Sequence, residues 1–119
     1  MTTAGARTIR AAVMVVLGLL LLSCSRSAPV PPPQPQTHTI VIEGMRFEPA
    51  DLTVHPGDTV VWMNKDLFAH TATAEGGFDS RQIDPGGSWR LTLQTPGDLP
   101  YICALHPTMK AIVRVRTGG

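Results

Sequence analysis

Residues 99–116 read LPYICALHPTMKAIVRVR and combine two strand patterns with a cluster of sulfur and imidazole side chains. Residues 99–103 are predicted to form one strand. In the closing segment, Ile112–Arg116, Val113 and Val115 fall on one face and both arginines on the other. Such period-two alternation is typical of a strand with one face on the core and the other in solvent. The C-terminal part of the chain is therefore predicted to be β structure.

The same period extends towards the N-terminus as far as residue 37. The further strand candidates are His38–Glu43, Leu52–Val54, Thr59–Trp62, the weaker Thr71–Ala74, and Trp89–Leu93. Pro-Gly turns separate several of them, as in residues 55–58 and 95–98. Roughly seven short strands with frequent turns predict an all-β protein, an antiparallel β-sandwich.

Length and charge limit the alternatives. A chain of 119 residues accommodates one domain of ordinary size. Its formal charge of +1 argues against a nucleic-acid binder, which needs a concentrated basic face. Only 16% of the residues are charged and 11 are prolines, a composition that favours short strands over helices.

The N-terminus resembles an export signal. Arg7 and Arg10 precede the apolar run Ala11–Leu22, which is too short to span a membrane as a helix. The segment Leu21-Leu22-Ser23-Cys24 resembles a bacterial lipobox, in which the signal is cut before a cysteine that then receives lipid. The alternative is a simple signal peptide with an incidental cysteine.

These features predict a division of the chain into three parts. Residues 1–23 are predicted to be a lipoprotein signal peptide. Residues 24–36 begin with the lipidated Cys24 and continue as a linker that contains five prolines between positions 29 and 35. Residues 37–119 are predicted to form the folded domain. The mature protein is thus expected to be exported and anchored by lipid to a bacterial membrane.

Cys103, His106 and Met109 follow one another in the spacing C-x2-H-x2-M. Thiolate, imidazole and thioether ligands together favour copper, and two histidines, one cysteine and a weak axial methionine describe a blue-copper site. His70, just beyond the apolar strand Thr59–Trp62, is the strongest candidate for the second histidine. The two other histidines, His38 and His55, lack such a context and are expected to be solvated.

With these residues in view, the chain resembles the cupredoxins, particularly the amicyanin and plastocyanin group. The matching segments are Pro56-Gly57-Asp58-Thr59-Val60, Trp62-x-Asn64, Asp66-x3-His70, Phe78-Asp79-Ser80, Gly97 and Tyr101-x-Cys103-x2-His106-Pro107-x-Met109. The resemblance implies a Greek-key sandwich that binds one copper ion, Cu(I) or Cu(II), through His70, Cys103, His106 and Met109. The short ligand loop is similar to that of amicyanin.

The chain also departs from the family pattern near the predicted site. Thr71 stands where many relatives have asparagine, Leu105 where amicyanin-like loops often have proline, and Ala111 where glycine is common. We expect Thr71 and Asn64 to orient the ligands, because residues around a metal site commonly fix its ligands through hydrogen bonds.

The predicted function is electron transfer by a membrane-tethered, monomeric type 1 copper protein outside the cytoplasm. Its donor and acceptor are expected to be redox proteins. Leu67, Phe68, Leu105 and Pro107 are predicted to form an apolar docking patch around the exposed edge of His106. Ordinary loop packing is the alternative explanation of that patch.

Three other functions compete with electron transfer. One is a zinc-bound or metal-free structural sandwich, although methionine would be a poor choice of ligand for zinc. A copper-binding or copper-delivery lipoprotein would use the same ligands without a redox partner. An enzyme is not expected, because multicopper oxidases and nitrite reductases need further histidines, commonly in His-x-His pairs, and this chain has four histidines and no such pair.

Overall fold

The computed structural model describes Met1, Gly5, Gly18 and residues 23–118. Most of the apolar run predicted to be the signal lies outside these residues. The chain divides into two units, Met1–Pro31 and Pro32–Gly119. The described residues of the first unit form no strand, and Cys24 is exposed among them. No helix in the described ranges is long and apolar enough to cross a membrane.

The second unit contains seven described strands. They are β1 (Thr37–Ile42), β2 (Phe47–Glu48), β3 (Asp51–Val54), β4 (Thr59–Asn64), β5 (Ser88–Thr92), β6 (Gly97–Cys103) and β7 (His106–Val115). One sheet has the order β2-β1-β4-β5 and the other the order β3-β7-β6. The predicted all-β sandwich is confirmed.

The sheets are mixed, however, and the prediction of purely antiparallel sheets was wrong. β1 runs parallel to β4, and β3 runs parallel to β7. Along the chain, β2 and β3 lie between β1 and β4, and β4, β5 and β6 lie between β3 and β7. The alternation of side chains shows which face of a strand is buried. It does not show whether the neighbouring strand runs parallel or antiparallel, so the sequence pattern could not predict the parallel pairs.

The core lies between the two sheets and follows the predicted alternation. Ile40 and Ile42 of β1 and Val60 and Trp62 of β4 are fully buried, and Tyr101 of β6 is almost so. The Trp62 and Tyr101 rings meet edge to face, with centroids 5.7 Å apart. This geometry is favourable for aromatic pairs and joins the two sheets at the centre of the sandwich.

Residues 71–74 are not a strand, contrary to the sequence-based prediction. Thr73 forms isolated bridges with both Asp79 and Ile102. The N–H of Ala74 donates instead to the carbonyl oxygen of Phe78, so the hydrogen bonds of this segment are divided among several neighbours. Three of the four residues are also buried, which removes the period-two pattern that a half-buried strand would show.

His38 is also not solvated as predicted. Its side chain is only 23% exposed, and its Nε2 atom lies 2.9 Å from Oδ2 of the buried Asp58. His55 is 51% exposed and lies on the turn before β4, in agreement with its predicted exposure. Both histidines lie near the start of β4, whereas His70 follows its other end.

Candidate metal centre

The hairpin of β6 and β7 holds two of the predicted ligands opposite each other, at a shift in the strand register between Ile102 and Cys103. Cys103 ends β6, His106 begins β7, and the two residues pair across a turn formed by Ala104 and Leu105. His106 occupies the first position of β7. The local spacing C-x2-H therefore brings sulfur and imidazole together by ordinary hairpin geometry.

His70 reaches the same place from the other sheet. It follows β4, and its backbone exchanges two hydrogen bonds with Ile83, at 3.1 and 2.7 Å. Its side chain is fully buried, whereas His106 is partly exposed. His70 is therefore the less exposed of the two histidines.

The three side chains form a compact triangle. Sγ of Cys103 lies 3.7 Å from Nδ1 of His70 and 3.7 Å from Nδ1 of His106. All three donor atoms lie within 4.8 Å of one another. Metal bonds of about 2.0 Å to nitrogen and about 2.3 Å to sulfur at a trigonal angle separate these two atoms by about 3.7 Å. The triangle therefore has the size that one ion requires.

The chemistry of this donor set fits copper. A thiolate and two imidazoles in a plane, with a soft thioether nearby, suit an ion that alternates between Cu(I) and Cu(II). Met109 lies on β7, three residues after His106, and is 4% exposed. Its placement within the core is compatible with the axial position that the sequence predicts.

Thr71 contacts Cys103 and the turn that follows it. Its N–H points at Sγ of Cys103, 3.4 Å away, and its hydroxyl accepts a 2.7 Å hydrogen bond from the N–H of Ala104. The hydroxyl also pairs with that of Thr73 at 2.9 Å. Through these bonds the residue after His70 is joined to the cysteine end of the hairpin, which is compatible with the orienting role expected from the sequence.

Asn64 acts one step further away and bonds to other parts of the same loop. Its side-chain amide donates to the carbonyl oxygens of Phe68 and Ile83, at 2.7 and 3.0 Å. Its Oδ1 atom accepts a 2.9 Å bond from the N–H of Asp66. These bonds brace the segment that carries His70.

Asp66 contacts His70 directly, a role that the sequence analysis did not assign. The Nε2 atom of His70 lies 2.8 Å from Oδ2 of Asp66. Burial of the Asp66 carboxyl opposes its ionisation, but the N–H groups of Met45 and Gly44 and the His70 ring hold its pKa below the usual value. The spacing Asp66-x3-His70 was visible in the sequence, but this contact depends on the irregular course of the chain between the two residues.

The residues of the predicted docking patch are exposed. Leu67 is 88%, Phe68 64% and Leu105 53% exposed, and Pro107 is exposed as well. Leu105 and Pro107 flank His106 in the sequence, and Leu67 and Phe68 lie in the segment that leads to His70. The exposure of these four apolar side chains is compatible with the predicted docking patch.

The β-sandwich fold, together with the cluster of Cys103, His70 and His106, defines a class of small β proteins with a metal centre of one cysteine and two histidines. Residues 12–115 match the family described as "Cupredoxin-like domain", and the chain belongs to this family. This membership confirms the resemblance seen in the sequence.

Among curated proteins, the chain is similar to amicyanins from two bacteria. It is 26% identical over 80 residues to amicyanin of Paracoccus versutus and 29% identical over 80 residues to that of Paracoccus denitrificans. Each match covers 62% of this chain and 61% of the relative. The chain therefore spans less than two thirds of the length of these relatives.

Solved structures give a consistent result. A methionine-to-alanine mutant of amicyanin in the Cu(I) form has a TM-score of 0.65 at 26% identity, with 67% of this chain and 82% of that chain covered. A copper-containing nitrite reductase from Thermus scotoductus has a TM-score of 0.65 at 30% identity. That match covers 78% of this chain but only 25% of the reductase.

Proposed function

We propose that this protein is a mononuclear type 1 copper protein that carries electrons outside the cytoplasm and is tethered to a membrane. The observation that supports the proposal best is the triangle of Cys103, His70 and His106, with both sulfur–nitrogen distances at 3.7 Å. Membership of the cupredoxin family and the similarity to amicyanins support it independently.

Each residue of the centre has a distinct part in this proposal. Bound copper would supply the chemistry, the gain and loss of one electron. Cys103 would provide a thiolate, Met109 a soft thioether, and His70 a buried imidazole that is fixed from both sides. Because the fold anchors these groups, little rearrangement would accompany a change of oxidation state, which favours fast electron transfer.

His106 provides the route for the electron to and from a partner. It is the partly exposed ligand, the exposed Leu105 and Pro107 flank it in the sequence, and Leu67 and Phe68 are exposed in the segment that leads to His70. A small apolar patch binds a partner without strong ion pairs, which suits a brief encounter between redox proteins. The donor and acceptor are proposed to be redox proteins that dock there.

Electron transfer is favoured over copper delivery by burial. Cys103 and His70 are both fully buried, so a chelator or an acceptor protein has no direct access to them. A delivery protein must release its ion readily. We expect bound copper to survive many redox cycles in the presence of a chelator, and rapid loss of copper would favour delivery instead.

The proposal is tested by the visible absorption and electron-spin spectra of the full chain, purified in detergent and loaded with Cu(II). We expect an intense thiolate-to-copper band and narrow copper hyperfine splitting. Cys103→Ser should abolish both, and Cys24→Ser, which changes the other cysteine, should retain them. A pale wild-type protein with ordinary tetragonal copper signals would refute a type 1 site.

A further inference from the structure

The contact between Asp66 and His70 occurs on the side of the imidazole that faces away from Cys103. Nδ1 of His70 lies 3.7 Å from the cysteine sulfur, and Nε2 lies 2.8 Å from a carboxylate oxygen of Asp66. The histidine side chain is 0% exposed and that of Asp66 is 12% exposed. The ring is therefore held between a sulfur atom and a carboxylate in a site with little water.

This arrangement determines which ring nitrogen carries the hydrogen. An ionised carboxylate only accepts hydrogen bonds, so Nε2 must donate, and in the neutral ring Nδ1 is then left with its lone pair free. Nδ1 is the atom that faces the sulfur. By accepting the Nε2 hydrogen, the carboxylate leaves the lone pair of Nδ1 free for a metal. Carboxylates often orient metal-binding histidines in this way.

Asp66 is itself held in place by three further bonds. Its carboxylate accepts hydrogen bonds from the N–H groups of Gly44 and Met45, at 2.7 and 3.0 Å. Both of these residues have positive φ angles, 63° and 59°, so the connection between β1 and β2 turns its amides towards the carboxylate. The N–H of Asp66 donates in turn to Asn64. The carboxylate is therefore oriented by hydrogen bonds within the fold.

We propose that Asp66 is a positioning residue of the metal centre, which holds His70 in the Nε2-protonated tautomer and makes its Nδ1 atom a better ligand. The proposal rests on the proposed copper function. It extends that function by assigning a role to a group that does not touch the metal. The negative charge of Asp66 also stabilises the more positive oxidised centre, so its removal should favour the reduced state.

The test compares Asp66→Ala, Asp66→Asn and the control Asp98→Asn in the full chain, purified in detergent. The asparagine substitution at position 66 retains one oxygen as an acceptor for His70 but loses the charge, whereas the alanine substitution loses both. Asp98 carries the same charge and bonds to Arg114 and Arg116 instead. The readouts are Cu(II) affinity, reduction potential and ¹⁵N NMR of the histidine rings in metal-free protein.

We expect Asp66→Ala to lower Cu(II) affinity by about 10–100-fold, a common effect of removing such a group. The same variant should raise the reduction potential and lose the single Nε2-protonated NMR signature of His70. Asp66→Asn should keep that signature, lose less affinity and still raise the potential. The control should match the wild type in all three measurements.

Two results would overturn the proposal. One is an Asp66→Ala protein that folds with unchanged affinity, potential and tautomer and differs only in stability, because the carboxylate would then be a structural clamp for the turn at Gly44 and Met45. The other is a wild-type His70 that is protonated at Nδ1. If wild-type protein bound no copper, the copper function would fail, but the tautomer measurement would still decide the role of Asp66.

Discussion

Thr71 illustrates how much of the candidate centre depends on single atoms. It is 7% exposed, its N–H contacts the Cys103 sulfur, and its hydroxyl receives the N–H of Ala104. The hydroxyl therefore ties the start of the β6–β7 turn to the segment that carries His70. A threonine occupies here the position that an asparagine holds in many members of the family.

Thr71→Val should remove the hydrogen bond of the hydroxyl with Ala104 and keep the contact of the N–H with the Cys103 sulfur. Valine has a similar shape and keeps the N–H, but it leaves the N–H of Ala104 without its partner. We expect the free energy of unfolding to fall by about 1–2 kcal/mol, measured by urea denaturation, because a half-buried donor is left unsatisfied. The blue band should remain. Thr71→Ser, which keeps the hydroxyl, is the control, and equal stability of the valine variant and the wild type would contradict the bridging role.

Met109 offers a second test at the level of one residue. Met109→Gln replaces a soft thioether by a harder amide oxygen, which favours the oxidised ion. We expect the variant to keep copper but to have a lower reduction potential, measured by redox titration. Met63→Gln changes a methionine that is 38% exposed on β4 and should leave the potential unchanged. An unchanged or raised potential in the Met109 variant would argue against its axial position.

Among the elements, the junction between β1 and the β3–β4 turn depends on one carboxylate. Asp58 is 2% exposed and accepts hydrogen bonds at 2.9 Å from the N–H groups of Gln36 and His55 and from the His38 ring. Burial disfavours its charge, but these donors outweigh burial and lower its pKa to about 2. The first strand is thereby attached to the turn at the start of β4.

The carboxylate of Asp58 should make the free energy of unfolding depend on pH. The folded pKa of about 2 lies below the ordinary value of 3.8, so the stabilisation is complete above about pH 5 and disappears as the pH falls towards 2. The shift corresponds to about 2 kcal/mol. We expect wild type to exceed Asp58→Asn in unfolding free energy by at least this amount at pH 6 and the gap to narrow towards pH 2. A gap that is constant with pH would refute the coupling.

At the scale of the whole domain, the start of β1 and the candidate centre lie at opposite ends of β1 and β4. Thr37 pairs with Thr59 at one end, and Ile42 pairs with Asn64 at the other, next to the segment of His70. The six residues of β1 separate the two ends by about 17 Å. A domain attached through residues 24–36 would therefore enter its fold at the end remote from His70.

Membrane attachment is tested by Cys24→Ser. We expect the variant to move from the membrane fraction to the soluble fraction, because acyl chains on this cysteine would provide the anchor. Its visible copper band should be unchanged. Cys103→Ser is the reciprocal control, expected to stay in the membrane fraction and to lose the band. A Cys24 variant that remained with the membrane would contradict lipid attachment at this residue.

Local sequence patterns were sufficient to predict several strands, the positions of Cys103 and His106, and the family. The alternation in residues 112–116 marks the buried face of β7, because successive side chains of a strand point to opposite sides wherever the strand lies. The spacing between Cys103 and His106 places both at a hairpin turn, again a local property. Family membership followed from such segments together, and it was confirmed.

The tertiary structure decided what depends on distant residues. The parallel pairing of β1 with β4 and the bridge between Thr73 and Ile102 both arise from partners far along the chain. The contact of Asp66 with Gly44 joins separate loops, and its contact with His70 depends on the irregular backbone between the two residues, so no periodicity in the sequence encodes either contact. The sequence by itself determined which side chains are chemically suited to a metal, because ligand chemistry belongs to the residue. Only the fold decided which atoms face one another and which groups orient them, because those relations arise from packing between segments.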